Sequence, residues 1–325
     1  MKKILKNKYF KTLQSDMECF ETYLEQSVAS DEAMVSNSAI HLVKAGGKRV
    51  RPLFAILAAQ CNTYDLNRML PLLAGLELLH TGSLIHDDVI DGATKRRGIP
   101  TTNAIYGNKT AIYIGDFLIG RAFELISQCN DSRIDSAVEK TITEMTHGEL
   151  RQIADFYRVE QTIEDYFYRI ERKTALLFST SCETGACVSG ASDIEIAALR
   201  DYGYNLGMAF QIMDDILDMT ADEVTLGKPV GSDLRQGNIS LPVIYCLENA
   251  LEKDQLKQMI LDSKDDETLI EPIIEFVKVN GGMEYAEKIA YEYIDKALAE
   301  IEVLKPGKHR EAMREVASMM VKRKY

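Results

Sequence analysis

Proline and glycine are scarce in this chain, 7 and 20 of 325 residues. That excludes a collagen-like, low-complexity or disordered polypeptide. No proline at all falls between Pro100 and Pro229, an interval rich in Ala, Leu, Ile, Met, Glu, Arg and Gln, which lose little in a helix. Strand-like alternation flanked by turn pairs is nearly absent, so most β-sandwiches are excluded as well. The six cysteines (Cys19, Cys61, Cys129, Cys182, Cys187, Cys246) contain no CxxC pair and no metal-ligand rhythm. A chain of this size needs no staples, so they are expected as reduced thiols of a cytoplasmic protein. Positive charge is in deficit, 38 Lys+Arg against 50 Asp+Glu for a net of -12. Such a surface repels a phosphate backbone, and no nucleic-acid partner is expected.

Long apolar runs are missing too. No window approaches the roughly 18 uninterrupted apolar residues of a membrane span. The N-terminus, Met1-Lys2-Lys3-Ile4-Leu5-Lys6-Asn7-Lys8, starts like a signal peptide, but Lys11, Asp16 and Glu18 deny it an apolar stretch. A peripheral membrane contact is the one membrane relation left open. Nor is there a Ser-His-Asp or Cys-His arrangement that demands a side-chain nucleophile.

What is present is helical spacing. Phe20, Tyr23, Leu24 and Val28 recur at 3- and 4-residue intervals, as do Leu72, Leu73, Leu76 and Leu79, and Tyr202, Leu206, Ala209, Phe210 and Met213. The breaks between such segments, for example Lys44-Ala-Gly-Gly47 and Asn280-Gly-Gly282, are too short for linkers. The expectation is an all-α protein: a single domain over residues 1–325, with 1–15 a basic N-terminal extension.

One short motif occurs twice, as Asp87-Asp88-Val89-Ile90-Asp91 and Asp214-Asp215-Ile216-Leu217-Asp218. In a helix the first and fifth aspartates share a face one turn apart. Two like charges so placed destabilise an isolated helix by about 0.2–0.5 kcal/mol, which calls for a counter-ion. An Asp pair in an acidic protein is often only a solvated helix face. Both copies here, however, lie among apolar residues (Leu84, Ile85, Val89; Ile212, Met213, Ile216), where unpaired carboxylates are expensive. All-oxygen ligands point to a hard ion, Mg²⁺ above all, bridging carboxylates to a phosphorylated substrate. Basic residues gather at the turns: Lys48, Arg49 and Arg51 after Gly46-Gly47, then Arg96, Arg97, Lys173 and Lys228. Beside acidic helices they suit a diphosphate clamp. Ordinary surface Lys and Arg remain the alternative for any single one. His80 lies seven residues before Asp87 and so on nearly the same face.

Taken in order, Gly46-Gly47-Lys48-Arg49-Val50-Arg51-Pro52, Leu84-Ile85-His86-Asp87-Asp88-Val89-Ile90-Asp91, Arg96-Arg97-Gly98, Gly115-Asp116-Phe117-Leu118, Lys173-Thr174, Phe210 to Asp218 and Gly227-Lys228-Pro229 resemble the motif series of the trans-isoprenyl diphosphate synthases. The resemblance implies an antiparallel helical bundle around a deep central cavity, usually dimeric. It implies Mg²⁺, three ions per site, held by Asp87, Asp91 and Asp214, with Asp88, Asp215 and Asp218 close by or acting through water. It implies Arg96, Lys173 and Lys228 on the allylic diphosphate, for which farnesyl diphosphate is a representative, and Lys48, Arg51, His80 and Arg97 on isopentenyl diphosphate. Thr174 and Gln211 would face the developing allylic cation, with Lys173 beside them. Gly92 and Asn238 depart from the pattern, in place of an acidic residue and a lysine found in many relatives. Asp233-Leu-Arg-Gln-Gly-Asn238 and the Lys-Arg-Lys near the C-terminus resemble long-chain members that work with a small non-homologous component I subunit. A homodimer or such a heteromer is therefore expected.

The resemblance also bears on product length. Bulky residues four or five positions before the first Asp stop elongation early in this family; here Ser83 and Gly82 stand there, with Leu79 further back on an apolar wall. A product near C35, for a quinone side chain of the menaquinone type, is expected. Farnesyl or geranylgeranyl diphosphate synthesis is the alternative within the same chemistry. A helical assembly subunit with eroded sites is opposed by the survival of all six aspartates, and a terpene cyclase would not ordinarily need the second clamp.

Overall fold

The structure, a computed structural model, describes residues 8–321 except 31, 45, 48, 97 and 221–228, with only the backbone for 8–12, 33, 34 and 321. It is all-α apart from one two-stranded antiparallel hairpin, Lys95–Arg96 against Ile99–Pro100. Residues 8–15, expected to lie in an extension, open helix α1 (Lys8–Ser27), and Leu13 there is already buried. α2 (Ala33–Lys44), α3 (Val50–Ala59), α4 (Leu66–Ile90), α5 (Thr102–Tyr106), α6 (Asn108–Ser127) and α7 (Ser132–Asp155) come after it in chain order. Next are α8 (Ile163–Ile170), a π-helical turn (Glu171–Ala175), α9 (Leu176–Val188) and α10 (Asp193–Thr220). The C-terminal part comprises α11 (Ser232–Arg235), α12 (Leu241–Asn249), α13 (Lys253–Asp262), α14 (Ile270–Val279), α15 (Gly282–Glu300) and α16 (Lys308–Val321).

These elements form two compact units. One draws on Met1–Val138, Ser181–Leu199 and Leu304–Met313, the other on Glu139–Thr180, Arg200–Val303 and Arg314–Tyr325. The boundaries fall inside α7, α9, α10 and α16 as well as between elements, so neither unit is a continuous stretch of sequence.

The first unit is organised by α4. Its N-terminus is capped by the Asp65 side chain, which accepts from the Asn67 N–H at 3.0 Å. Its next turns are apolar on every side, and Met69, Leu72, Leu73, Ala74, Leu76 and Leu78 are all fully buried, as expected of a helix surrounded by others. α6 packs antiparallel along it through small residues. A Cβ on Gly75 would lie 2.4 Å from Ile126 and 3.0 Å from the Ala122 carbonyl, and one on Gly82 would lie 2.8 Å from Ile119 and 3.1 Å from the Gly115 carbonyl. Gly82 is thus glycine for the sake of this helix seam, whatever its bearing on product length. Deep in the same unit, Arg49, with left-handed backbone (φ 45), is 3% exposed. Its guanidinium meets Glu77 and Glu21 at 2.7 Å each and donates to the Val43 carbonyl at 2.8 Å. Arg49, read from sequence with the diphosphate-binding basic residues, is therefore an internal ion-pair centre that ties α1 and α4 to the turn before α3.

In the second unit two close helix approaches at the π turn are again made by glycine. Gly207 of α10 sits where a Cβ would be 2.5 Å from the Ala175 Cα, and Gly148 of α7 where one would be 2.8 Å from the Arg172 Cβ. Both clasp the π turn. α8 is fastened by a capping box between Thr162 and Asp165. Asp165 also joins Arg151, Arg158 and buried Asp155 in a four-membered ion network.

Candidate active site

The two aspartate motifs share a position that the sequence did not reveal: each lies in the last turns of a long helix. Asp87 and Asp88 are in the final turn of α4, with Asp91 at its C-cap, and Asp214, Asp215 and Asp218 precede the end of α10 at Thr220. The C-terminal end of a helix carries the negative pole of its macrodipole, where a carboxylate is unfavourable and a cation favourable. Three acidic side chains on each such end make a strong local demand for positive charge.

Within each motif burial sorts the aspartates into two kinds. In the first unit, Asp88 is 1% exposed and accepts from the Arg96 Nε at 2.7 Å. Arg96 stands on the hairpin strand Lys95–Arg96, so this pair anchors the hairpin to the end of α4. Thr101 fixes its far side, with its hydroxyl donating to the Ala93 carbonyl at 2.7 Å. Asp87 is half-buried and Asp91 exposed, and both are placed to reach a solvated ion. His80, Ser83, Leu84 and Asp87 are all half-buried and recur at helical spacing, so they form one accessible stripe of α4. Ser83 closes its hydroxyl onto the His80 carbonyl at 2.9 Å, while Leu79 is 5% exposed. Arg51 is half-buried at the start of α3. Lys48 and Arg97 lie outside the described residues.

The second unit holds the remaining candidates, except Lys228, which also lies outside the described residues. Asp215 is buried and takes two hydrogen bonds: the Tyr166 hydroxyl donates to one oxygen at 2.8 Å and the Gln211 side-chain NH₂ to the other at 2.7 Å. Burial pushes its carboxyl well above the ordinary range, with neighbouring Asp233 adding to the rise and the Gln211 and Tyr166 bonds opposing it. Asp218 is 1% exposed and accepts from the Asp233 N–H at 3.1 Å. The Asp233–Asn238 motif is thereby explained locally: it folds as short α11, whose first turn Asp218 caps, and closes with Gly237 in left-handed geometry (φ 79). Asp214, half-buried, makes no hydrogen bond or ion pair among the described residues. On the π turn, Lys173 pairs with Glu149 of α7 at 2.9 Å, and the Thr174 hydroxyl donates to the Gln211 Oε1 at 2.7 Å. π turns shift side chains out of α-helical register and recur at functional positions; here the turn brings Thr174 to Gln211 and Lys173 to Glu149. The turn and Tyr166 are the parts that sequence reasoning missed. Nothing in residue spacing signals the turn, and Tyr166 looks like any helix aromatic.

Among the described residues, no group of three or more His, Cys, Asp or Glu side chains is gathered into a closed metal cage. Mg²⁺ keeps several waters and is typically bound by one or two carboxylates together with substrate phosphates. Asp87 and Asp91 at the end of α4, and separately Asp214 near the end of α10, are all-oxygen donors at negative helix ends of a kind that fits such an ion. The six cysteines form no disulfide, and no helix among the described residues is long and apolar enough to cross a membrane.

Both long helices thus end on paired aspartates, and at the end of α4 the basic residue Arg96 of the adjoining hairpin meets one of them. Residues 32–277 match the polyprenyl synthetase family, and the chain belongs to it. It is 42% identical over 313 residues, 96% of this chain and 89% of the relative, to heptaprenyl diphosphate synthase component 2 of Bacillus subtilis (strain 168). Among solved structures it is similar to heptaprenyl diphosphate synthase from Staphylococcus aureus, with TM-score 0.90, 34% identity and coverage of 95% of this chain and 98% of that one. The polyprenyl synthase from Caulobacter crescentus complexed with calcium and isoprenyl diphosphate is similar at TM-score 0.90 and 33% identity, over 96% of each chain. The chain is a trans-prenyl diphosphate synthase with the all-α fold of those enzymes.

Proposed function

We propose that this enzyme condenses isopentenyl diphosphate head to tail onto an allylic diphosphate in the presence of Mg²⁺, to give a long product near C35 for a quinone side chain. The observation that carries the chain length is the 42% identity to a heptaprenyl diphosphate synthase component 2 along nearly the whole sequence. The small side chain of Ser83 on the accessible stripe of α4 supports it.

Asp87, Asp91 and Asp214 hold the metal, which when bound neutralises charge gathering on the departing diphosphate. Asp88 and Asp215, both buried and hydrogen-bonded, orient what lies next to them: Asp88 the Arg96 guanidinium and its hairpin, Asp215 the Gln211 amide. Asp218 fixes the turn that leads to α11. Arg96, Lys173 and Lys228 grip the allylic diphosphate, and Lys48, Arg51, His80 and Arg97 grip isopentenyl diphosphate. As the allylic C–O bond ionises, the Thr174 and Gln211 oxygens stabilise the cation, and the alkene of isopentenyl diphosphate attacks it. The proton then leaves to the released diphosphate, so no side-chain nucleophile takes part. By its likeness to a component 2 the chain works with a small partner subunit.

Incubation of the purified chain with farnesyl diphosphate, isopentenyl diphosphate and Mg²⁺, alone and with a candidate small subunit, tests this by product mass. Heptaprenyl diphosphate is the expected main product of the complete enzyme. A distribution ending at C15 or C20 with the partner present would replace the long-chain reading with the short-chain one.

A further inference from the structure

Tyr157, just past the end of α7, is half-buried, and no diphosphate or metal role falls to it. Its backbone is left-handed (φ 56), an outlier for a bulky side chain that persists only where the surroundings over-determine it. What surrounds it is the turn that carries α11. The Tyr157 N–H donates to the Gly237 carbonyl at 2.8 Å, and the Tyr157 hydroxyl donates to the Arg235 carbonyl at 2.9 Å. The ring lies against Gly237, where an added Cβ would be 2.3 Å from the ring carbons Cδ2 and Cε2. Main-chain carbonyls only accept, so the direction of both bonds is set whatever the charge on nearby carboxyls. The α7–α8 turn from which Tyr157 projects is itself fixed. The Gln161 NH₂ donates to the Asp155 and Arg158 carbonyls at 2.8 and 3.0 Å, and Arg169 donates to the Gln161 Oε1 at 2.7 Å and to the Ile239 carbonyl at 2.6 Å. At its other end the α11 turn meets the tip of α10: the Gly231 N–H donates to the Asp218 carbonyl at 2.8 Å, and the Asp233 N–H to the Asp218 Oδ2 at 3.1 Å. Asp214 stands about one helical turn before Asp218.

We infer that Tyr157 is a positioning residue for the prenyl transfer: it clamps the α11 turn between the fixed α7–α8 turn and the tip of α10, and so sets where Asp214 meets a metal-bound allylic diphosphate. A left-handed backbone is costly for tyrosine and free for glycine. The ring and hydroxyl that glycine lacks are the parts that reach the α11 turn. Gly237 supplies the other half of the fit, since its own left-handed backbone (φ 79) and missing Cβ admit the ring. The Arg169 bond to Ile239 holds the chain beyond α11, and the Arg235–Glu267 ion pair holds a side chain; Tyr157 holds the backbone that closes α11. In the proposed reaction the metal meets the allylic diphosphate, and isopentenyl diphosphate is assigned to Lys48, Arg51, His80 and Arg97. The clamp therefore acts on one substrate and not on the other. This inference rests on the proposed role of Asp214 as a metal ligand.

The test compares Tyr157→Ala, Tyr157→Phe and Asp214→Ala on the full chain with its partner subunit, using farnesyl diphosphate, isopentenyl diphosphate and Mg²⁺. Y157A is expected to raise KM for farnesyl diphosphate and the Mg²⁺ half-saturation about tenfold, the low end of what losing a group that orients a metal ligand costs. KM for isopentenyl diphosphate is expected to stay unchanged. A merely structural tyrosine would instead lower the amount of active enzyme, and so kcat alone. Y157F keeps the ring and removes only the bond to the Arg235 carbonyl, so the same two quantities should rise about fivefold. It takes the place of Y157A should that variant fail to fold. The measurement without catalysis is backbone hydrogen exchange of the chain free of Mg²⁺ and substrate. The Gly231 and Asp233 amides should exchange at least about tenfold faster in Y157A, with α4 amides at wild-type rates. Wild-type exchange at Gly231 and Asp233, a change in kcat alone, or an equal rise in KM for both substrates overturns the clamp. A D214A enzyme with wild-type Mg²⁺ half-saturation overturns instead the role of Asp214 as a ligand, whatever Y157A does.

Discussion

Gly207 allows a sharp test of how the second unit positions its reacting groups. A Cβ there would lie 2.5 Å from the Ala175 Cα, 3.1 Å from its Cβ and 3.2 Å from its carbonyl oxygen. The nearest of these is backbone, so no rotamer change relieves the clash, and α10 must move about 1 Å away from the π turn to restore ordinary contact. Gln211 is one helical turn on, and its 2.7 Å bond to Thr174 would stretch past hydrogen-bonding length. Overpacking of this kind destabilises by about 1–3 kcal/mol, and a displacement of about 1 Å at reacting groups lowers the rate about 100-fold. Gly207→Ala is therefore expected to lower kcat about 100-fold while reducing Tm by about 2–12 °C, at about 2–4 °C per kcal/mol. The control is Gly120→Ala in α6, where an added Cβ meets nothing within 4 Å. It should leave kcat unchanged and raise stability by up to about 1 kcal/mol through helix propensity. A G207A enzyme with wild-type turnover would refute the claim that this contact sets the Thr174–Gln211 geometry.

Removing Arg49 by Arg49→Met leaves Glu77 charged and buried, with an expected loss of about 3–5 kcal/mol in urea unfolding that R49M/E77L largely restores; equal stability of R49M and wild type would contradict it. Arg96→Ala removes the guanidinium bond to buried Asp88 and should destabilise the chain by about 1.5–3 kcal/mol even without substrate or Mg²⁺, whereas a residue that acts only on diphosphate would leave the melting curve unmoved. Burial pushes Cys61 to about 12 and Cys129, Cys187 and Cys246 to about 11, and Cys182 higher still by the same cause. A thiol reagent at pH 8 should thus find one fast site, exposed Cys19, and six after denaturation; two or more fast sites in the native enzyme would count against this. Arg133 holds the Asp131 carboxyl below its ordinary range. Near pH 4 the native state therefore binds fewer protons there than the unfolded chain, and the contribution is present above the unfolded pKa of about 3.9 and lost as pH falls. Asp131→Asn should flatten the acid limb of the stability curve, and an unchanged limb would show the pair to be neutral.

The helices were readable from sequence because their apolar residues recur at 3 and 4 positions: Phe20, Leu24 and Val28 are all fully buried, as are Leu72, Leu73 and Leu76. The aspartate motifs were readable because like charges at helical spacing need an explanation. Their internal division of labour was not readable, since spacing alone cannot tell Asp88, which meets Arg96 inside the protein, from Asp87 beside it. Arg49 was misread for the same reason: a basic residue in a glycine-rich turn resembles its neighbours until Glu21 and Glu77, 28 positions away on either side, are seen to converge on it. The π turn was invisible because its residues have ordinary helix propensities, and only the approaches of Gly148 and Gly207 show that it is held there. Gly82 shows the limit of local reasoning in another way, since its smallness has a packing cause in α6 that the sequence does not display.

The placement of both acidic motifs at the trailing ends of α4 and α10, helices of 25 and 28 residues, has a consequence for handling the protein. Each rod terminates in carboxyl groups whose charge has the sign that its own backbone already supplies, so the two tips favour a cation. On the proposed role of Asp87, Asp91 and Asp214, divalent ions arriving with a pyrophosphate cargo would act as removable end-stops, and samples kept in chelator would unravel from those tips first.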